Sequence, residues 1–266
     1  MSTLSVVINV YNEGHLLKDC LDSVRWADEI VITDMYSTDN SAEVYLPYAS
    51  KSVLIDWEPI ADRVHHVGFA QATGDWVLKL DPDERVSPAL AQQIQEVVAS
   101  PATYAAYRLP FKDYMFGKWI RYTGWQGNRE VGLIRLFQRS QVTWQTEVHS
   151  QPVIDGEVGA IQYNKILDNT VDHINYTSVA QFMEKLNRYT TAESEKRFAE
   201  GKNFRWPKLL YHPLVEIWNR YVRAKGYKDG MHGFVLSLLM AFYVELVLIK
   251  MWETTLHAAK NGVVQE

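Results

Sequence analysis

The amino-acid sequence predicts an α/β fold: a mostly parallel sheet with helices on both faces, followed by a helical C-terminal appendage. Over about the first 100 residues, short apolar runs alternate with helical segments, a pattern typical of parallel strands covered by helices. From Ser178 onward the pattern is helical. We therefore expect two domains, residues 1–172 and residues 173–266.

Four apolar runs are predicted to be buried strands, at residues 5–10, 29–33, 52–55 and 76–80. Asn12 is a candidate cap for the helix that follows the first strand. Another helix is expected from Pro88, which suits a first turn, to about Val98. Residues 104–170 contain shorter strand-like pieces separated by aromatic and glycine-rich loops.

Three helices are predicted in the appendage. Ser178 and Gln181 form a capping-box signature for the first, which is expected to end at Gly201. The second is expected from residue 207 to about 226, and the third from about 230 to 251.

Overall charge and cysteine content exclude some classes of protein. The formal net charge is −5, which argues against nucleic acid as a partner. The single cysteine, Cys20, excludes an internal disulfide, fits a reducing compartment and lies in an apolar helical pattern, so we expect a buried structural thiol. The N-terminal residues lack the features of a signal peptide, so a cytoplasmic location is expected.

Polar side chains follow three of the predicted strands at the point where each strand ends. They are residues 11–13, Asp34 and residues 81–84. Because ligands of parallel sheets bind at the carboxyl ends of the strands, these residues should share one edge. Asp81 and Asp83 could present oxygens to a cation that bridges two phosphates, or they could form a solvated turn. No glycine-rich phosphate loop is present.

Several ordered motifs resemble a known enzyme family. They are VINVYNE, ADEIVITDMYSTDNS, ATGDWVLKLDPDERV and the later GW, RLF, W and VH. In this order they resemble the family 2 glycosyltransferases with the GT-A fold, which is Rossmann-like. Within that family the chain is similar to the bacterial group that includes lipopolysaccharide-core β-1,4-glucosyltransferases. The resemblance extends over essentially the whole chain.

The resemblance implies an inverting, metal-dependent transfer of a hexose, glucose above all, from a UDP-sugar. Asp83 would hold Mg²⁺ or Mn²⁺, and Asp81 would contact the same ion, its bound water or the ribose. Asp34 would contact uracil or ribose, while Asn12 and Glu13 would flank the nucleotide. The acceptor would be a saccharide or lipid-linked glycan at the inner face of the plasma membrane.

The general base is where the sequence departs from the family pattern. Relatives have Val-His-Glu after RLF and W, whereas this chain has Ser150 in place of that glutamate. Glu147 is the nearest carboxylate, and His149 could act as base, contact phosphate or metal, or be structural. Arg63 could reach the pyrophosphate.

Trp125 and Arg129 are candidate acceptor contacts in the middle of the chain. A flat aromatic ring stacks on the apolar face of a sugar, and arginine suits phosphate or carboxylate. The alternative is an aromatic minicore under long loops.

The appendage combines positive charge with aromatic and apolar residues. Residues 185–228 contain eleven Lys or Arg against four Glu. The uncharged run at residues 234–244 is shorter than the ~20 residues of a membrane span. The sequence leaves open a membrane surface, a homodimer contact, and packing on the chain's own domain.

Two other functions stay open at the sequence level. One is a catalytically silent nucleotide-sugar binder, because Ser150 replaces the expected acid. The other is an Asp-dependent phosphohydrolase, although such enzymes generally place their paired aspartates after the first strand.

Overall fold

The computed structural model describes residues 2–58, 64–144, 152–202 and 204–260, with side chains as far as residue 258. Four residues of the sequence-based predictions, Arg63, Glu147, His149 and Ser150, lie outside these ranges. The chain forms two compact units. Unit 1 comprises Met1–Asp113 and Gly127–Ile174, and unit 2 comprises Tyr114–Gln126 and Asn175–Glu266.

The strands and helices of the described ranges follow one another along both units. The strands are β1 (Leu4–Val10), β2 (Glu29–Asp34), β3 (Lys51–Leu54), β4 (Trp76–Leu80), β5 (Glu84–Val86), β6 (Ala106–Leu109), β7 (Phe111–Met115), β8 (Lys118–Trp119), β9 (Leu133–Gln138), β10 (Val142–Thr143), β11 (Val153–Ile154), β12 (Val158–Ala160) and β13 (Val171–Tyr176). The helices are α1 (Gly14–Ser23), α2 (Ser41–Tyr45), α3 (His65–Gln71), α4 (Pro88–Ala99), α5 (Gln126–Glu130), α6 (Val179–Ala199), α7 (Trp206–Ile217) and α8 (Met231–Lys260). A π-helical stretch, Trp218–Arg223, continues α7, and a 3₁₀ turn, Gly226–Asp229, precedes α8.

A seven-stranded sheet in the order β12-β6-β9-β4-β1-β2-β3 forms the core of unit 1. β1 pairs in parallel with β2 and β4, and β2 pairs in parallel with β3. β9 is antiparallel to both β4 and β6, which makes the sheet mixed. All residues of β1 and β2 are buried because the sheet is covered. The parallel centre confirms the fold class predicted from the apolar runs.

Helices α1 and α3 show how closely the sheet is covered. On α1, Leu17, Cys20 and Leu21 are fully buried in the core cluster of unit 1, which confirms the expectation of a buried thiol. On α3, a Cβ at Gly68 would lie 2.5 Å from Val7 Cγ1. Glycine is therefore required where this helix approaches β1.

Asn12 does not cap α1. The helix begins at Gly14 after Glu13, and Glu13 makes no side-chain cap hydrogen bond. Asn12 instead has φ 54°, and its Oδ1 accepts hydrogen bonds from the Thr38 amide at 2.7 Å and the Asp39 amide at 3.3 Å. This left-handed residue ties the β1–α1 loop to the loop after β2, because asparagine tolerates that conformation and bonds locally.

Unit 2 is largely helical, and one buried carboxylate links the segment before α8 to residues 121–123. Asp229 accepts hydrogen bonds from the amides of Arg121 and Tyr122, at 3.1 and 2.9 Å, and from the Thr123 hydroxyl at 2.9 Å. α6 and α7 both pack on α8. By length and composition alone, residues 231–258 of α8 could cross a membrane, with mean hydropathy 2.1; core helices of soluble proteins meet the same criteria.

Candidate active site

One edge of the parallel sheet collects the polar residues singled out in the sequence. Val10 of β1 is in register with Asp34 of β2, and Ile8 of β1 is in register with Leu80 of β4. The three neighbouring strands therefore end at the same edge. Residues 11–13, Asp34 and residues 81–84 all follow directly from it, as predicted for the binding edge of a parallel sheet.

Arg135 of β9 joins two of the acids that follow β4. Its guanidinium donates to Asp81 Oδ2 at 2.9 Å and to Glu84 Oε1. The Arg135 side chain is 11% exposed and that of Glu84 is fully buried. The Asp81 amide donates to Glu84 Oε2 at 3.0 Å, which closes the turn on itself. The carboxylates are crowded here because a buried cation lies among them.

The local charges set the ionisation of this group. Burial raises the pKa of Glu84 to about 7, with Arg135 opposing the rise. Burial would also raise the pKa of Asp81, but the positive charges of Lys79 and Arg135 outweigh it and lower that pKa. Asp81 is therefore an anion at neutral pH, and its side chain is 33% exposed. It is the member of the pair that a solute can reach.

Asp83 faces a histidine of β13 that the sequence analysis did not single out. His173 Nε2 lies 3.6 Å from Asp83 Oδ2, and its Nδ1 lies 2.9 Å from Asp113 Oδ1. Asn128 donates to the other oxygen of Asp113 at 2.9 Å. Burial would lower the pKa of His173, but the hydrogen bond to Asp113 and the charge of Asp83 raise it to about 10. The ring is thus fixed by one carboxylate and aimed at another.

Asp34 has protein partners on both carboxylate oxygens. Oδ1 accepts from the Ser37 amide at 2.8 Å, and Oδ2 accepts from the Tyr45 hydroxyl at 3.2 Å. The residue is 2% exposed. A carboxylate has about four acceptor positions, so these bonds orient Asp34 and leave room for a further donor. Its contact with a nucleotide stays a prediction.

Glu13 and an aromatic pair flank the same edge. The Glu13 amide donates to Ser41 Oγ at 3.2 Å, so the residue anchors the loop through its backbone. Tyr11 lies against Trp57, with ring centroids 5.9 Å apart, and Trp57 is 49% exposed. Trp57 follows the end of β3, and the sequence analysis passed over it. Its half-exposed ring is a flat surface on which a planar group could stack.

The two predicted acceptor contacts fall in different units. In unit 2, the Arg220 guanidinium lies 4.8 Å from the Trp125 ring centroid. In unit 1, Arg129 bonds Glu130 at 3.1 Å and lies 5.9 Å from the ring centroid of Tyr163. Both side chains already have protein partners, and their role in acceptor binding stays a prediction.

The few donor atoms near Asp83 fit a divalent cation that completes its coordination with a bound substrate and water. In the described ranges, no group of three or more His, Cys, Asp or Glu side chains is arranged to hold a metal ion. Asp83 Oδ2 and His173 Nε2 lie 3.6 Å apart, close enough for both to contact one divalent ion, which would displace the proton that the raised pKa keeps on His173 at neutral pH. Magnesium commonly takes one or two carboxylates and completes its shell with phosphates and water.

Glycosyl transferase family 2 is the family whose model matches this sequence, over residues 5–152. Among curated relatives, a lipopolysaccharide core biosynthesis glycosyltransferase, LpsC, of Rhizobium meliloti is 28% identical over 97% of this chain and 94% of that protein. An uncharacterized glycosyltransferase of Rickettsia typhi is 26% identical over 96% of this chain and 89% of that protein.

Among solved structures, the mannosyltransferase PcManGT from Pyrobaculum calidifontis, in complex with GDP-Man and Mn²⁺, superposes with a TM-score of 0.53. It is 14% identical and covers 94% of this chain and 87% of its own. At this identity the comparison shows a shared fold alone.

Proposed function

Because this chain belongs to glycosyl transferase family 2, we propose that it transfers a hexose, glucose, from a UDP-sugar to an acceptor of the lipopolysaccharide core or a related lipid-linked glycan. Its fold is of the GT-A type with a C-terminal helical region. The near full-length similarity to LpsC supports the acceptor class. It is a glycosyltransferase; donor, acceptor and metal dependence are the proposal.

The observation that carries the proposal is the pair of Asp83 and His173 at the ligand-binding edge of the sheet. We assign Mg²⁺ or Mn²⁺ to these two side chains, with the exposed Asp81 carboxylate beside them. When bound, the ion neutralises the charge that develops on the departing diphosphate. Asp113 holds the His173 ring through Nδ1 and so directs Nε2 toward Asp83.

Arg135 has the task of fixing the turn that carries the aspartates. It bonds both Asp81 and Glu84, so residues 81–84 keep one geometry before the donor arrives. A site organised in advance loses less free energy to reorganisation during the reaction.

The nucleotide would lie along the ends of β1, β2 and β3. We assign the contact with uracil or ribose to Asp34, whose carboxylate is oriented by Ser37 and Tyr45. Asn12 and Glu13 shape the loop beside it, and the half-exposed Trp57 ring is a surface for the base. Arg63 is proposed to contact the pyrophosphate.

The base that takes the acceptor proton is proposed to be Glu147 or His149. A carboxylate or imidazole can accept a proton near neutral pH, whereas the Ser150 hydroxyl cannot do so unaided. Glu147→Gln and His149→Gln should separate them: the true base loses at least ~10²-fold in turnover, while the other variant and Ser150→Ala keep donor binding and most activity.

Replacing Asp83 with Asn tests the proposal directly. We expect turnover of UDP-glucose, measured with a lipopolysaccharide-core acceptor, to fall by roughly 10²–10³-fold, together with the loss of metal-dependent UDP binding. Asp19, whose side chain is 75% exposed in the same unit, gives the matched control Asp19→Asn, which should match the wild type. Unchanged turnover in Asp83→Asn would refute the assignment. UDP-sugar binding by the wild type with neither transfer nor donor hydrolysis would identify a silent binder instead.

A further inference from the structure

Helix α7 exposes an apolar face. Trp206, Leu210, Leu214 and Trp218 are 67%, 65%, 66% and 62% exposed. They recur every fourth residue, so they form one stripe along α7 and its π-helical continuation. We call these four residues the outer face of α7. Large apolar side chains normally face the core, and here they face away from it.

None of the exposed positions of α7 carries a charge. Between Trp206 and Trp218 the remaining exposed positions are Pro207, Tyr211 and Val215. The opposite side of the helix is the one that packs, because Leu209 joins a buried cluster with Leu248 and Met251 of α8. Helix α7 is therefore apolar on two sides: one side packs against α8, and the other faces the surroundings.

Helix α8 adds exposed apolar side chains to unit 2. Met231, Leu238 and Trp252 are 72%, 43% and 47% exposed. A contiguous apolar stripe such as the outer face of α7 marks a contact with another molecule or with lipid.

Positive charge lies at both ends of α7. Arg205 and Lys208 are at its first turn, Arg223 is the last residue of its π-helical continuation, and Lys225 follows shortly after. The acids of residues 201–230 are already occupied: Glu216 pairs with Arg220, and buried Asp229 holds backbone amides. The charge that this surface offers to a partner is positive.

A basic cavity lies beside the N-terminal end of α7. It has a volume of about 410 Å³, and its lining includes Arg197, Lys202, Arg205 and Lys208 together with the apolar Leu248 and Met251. Arg197 and Lys202 pair with Glu193 and Glu200, each at 2.7 Å, so the docking argument rests on Arg205 and Lys208. Cations beside an apolar floor match a partner that is itself anionic at one end and apolar at the other. A phospholipid has this chemistry.

We propose that α7 docks in the plane of an anionic phospholipid bilayer, with its outer face in the headgroup and upper acyl zone and its terminal cations on the lipid phosphates. Tryptophans at both ends of the stripe suit this zone, where an amphipathic ring is favoured. At 12 residues, α7 is about 18 Å long and cannot span the ~30 Å hydrocarbon core.

A bilayer fits this surface better than a second copy of the chain. A symmetric contact between copies would bring Arg205 and Arg223 of each chain toward equally basic ends, and like charges repel. A bilayer that contains anionic lipid supplies apolar area and negative charge at once.

Flotation with vesicles tests the docking. The full-length protein should bind vesicles of phosphatidylcholine and phosphatidylglycerol, and bind pure phosphatidylcholine at least ~10-fold more weakly. Leu210→Gln/Leu214→Gln keeps helix propensity and should lower the partition coefficient about tenfold or more. The matched control is Leu46→Gln/Ile166→Gln in unit 1, where these residues are 63% and 93% exposed, and it should bind like the wild type.

The charge component has its own pair of variants. Arg205→Gln/Arg223→Gln should lose about fivefold per charge on anionic vesicles and show a weaker dependence on salt. Lys18→Gln/Lys165→Gln, which removes two exposed cations from unit 1, should show neither change. Equal losses in both pairs, or equal binding of the wild type to neutral and anionic vesicles, would overturn the proposal.

Two further outcomes would also overturn it. Light scattering without lipid could show a wild-type dimer that Leu210→Gln/Leu214→Gln converts to monomer; the outer face of α7 would then be an interface between copies.

With brominated lipids, Trp206 and Trp218 should be quenched more by bromines near the headgroups than by bromines at the bilayer centre, read as the difference between wild type and Trp206→Phe/Trp218→Phe. Stronger quenching from the centre would contradict an in-plane helix. These readouts need no sugar donor, so they are independent of the proposed transfer reaction.

Discussion

The acidic turn after β4 in unit 1 and the outer face of α7 in unit 2 depart from ordinary burial in opposite directions. The turn buries charge: Glu84 is fully buried and bonds Arg135. The helix exposes apolar side chains such as Leu210 and Leu214. Buried charge is tolerated only with partners and precise geometry, and exposed apolar area is costly in water. In our proposals, the first departure is where the chain binds a ligand and the second is where it contacts a lipid surface.

The two regions also differ in whether their side chains find partners within the chain. The charges of the acidic turn are paired within the chain, so their geometry is set before any ligand binds. The apolar side chains of α7 have no such internal complement on their outer side. Mutations should therefore affect folding strongly in the first region and weakly in the second.

The largest effect on stability is expected for Arg135→Met. This change leaves Asp81 and Glu84 near each other without their shared cation, and breaking such a buried pair should lower the free energy of unfolding by about 3–5 kcal/mol. Urea denaturation at pH 7 measures it. Arg25→Met is the surface control, since Arg25 lies 3.8 Å from Asp22 with a side chain 66% exposed; it should cost less than ~1 kcal/mol. Equal losses of unfolding free energy in Arg135→Met and Arg25→Met would contradict the expected difference between buried and exposed ion pairs.

Asp113→Asn should act on metal affinity more than on folding. The carboxylate orients His173 through Nδ1, and loss of such a support typically costs 10–100-fold in affinity for the metal. Calorimetric titration of Mn²⁺ in the presence of UDP gives the value. Asp172→Asn is the control, because that neighbour in β13 bonds Thr170 instead. Wild-type affinity in Asp113→Asn would remove His173 from the proposed metal site.

Glu29→Gln should produce a smaller effect that depends on pH. Burial opposes ionisation, yet hydrogen bonds from Lys51, Ser5 and Thr73 lower the pKa of Glu29 to about 2. Its carboxylate therefore stabilises the folded state above the unfolded pKa of about 4.5, and the contribution is lost as pH falls toward 2.

The difference in unfolding free energy between wild type and Glu29→Gln should be about 1–2 kcal/mol at pH 7 and shrink toward zero at acid pH. Urea midpoints at several pH values supply the curve. Exposed Glu157 provides the control Glu157→Gln, which should unfold like the wild type because exposed side chains contribute little to stability. If the difference in unfolding free energy between wild type and Glu29→Gln grew on acidification, the pH dependence would have the opposite sign, which would exclude this explanation.

The smallest effect is expected on the outer face of α7. Leu210→Gln/Leu214→Gln should change the unfolding free energy in lipid-free buffer by less than ~0.5 kcal/mol, because exposed sites contribute little. Leu78→Ala, at a fully buried position of β4, should cost about 2–5 kcal/mol in the same assay. A large loss in the double variant would mean that the outer face packs within the chain in solution.

Continuous apolar runs made the sheet predictable. β4 was predicted at residues 76–80 and is observed there, since a strand buried on both faces has few polar residues. The start of α6 was equally clear, because the Ser178 hydroxyl accepts from the Gln181 amide. The end of α8 was predicted near residue 251, but the helix continues to Lys260, because no glycine or proline lies between Met251 and Lys260 to stop it.

The partners of the acidic turn were harder to find from sequence. Arg135 is 54 positions from Asp81, and His173 is 60 positions from Asp113, so no local spacing connects them. A signal was nevertheless present. Arg135 lies inside the apolar run LIRLF, and a charged residue in a buried strand needs a charged or polar partner.

The shielded sulfur of α1 gives experimental access to the rest of the molecule. Cys20 is fully buried, burial raises the pKa of its thiol well above the ordinary value, and its Sγ contacts the Asp81 carbonyl at 3.5 Å. Maleimides and similar electrophiles react with thiolates, which this environment suppresses. A new cysteine introduced on α7 can thus carry a fluorophore or spin label selectively while the native one stays in place.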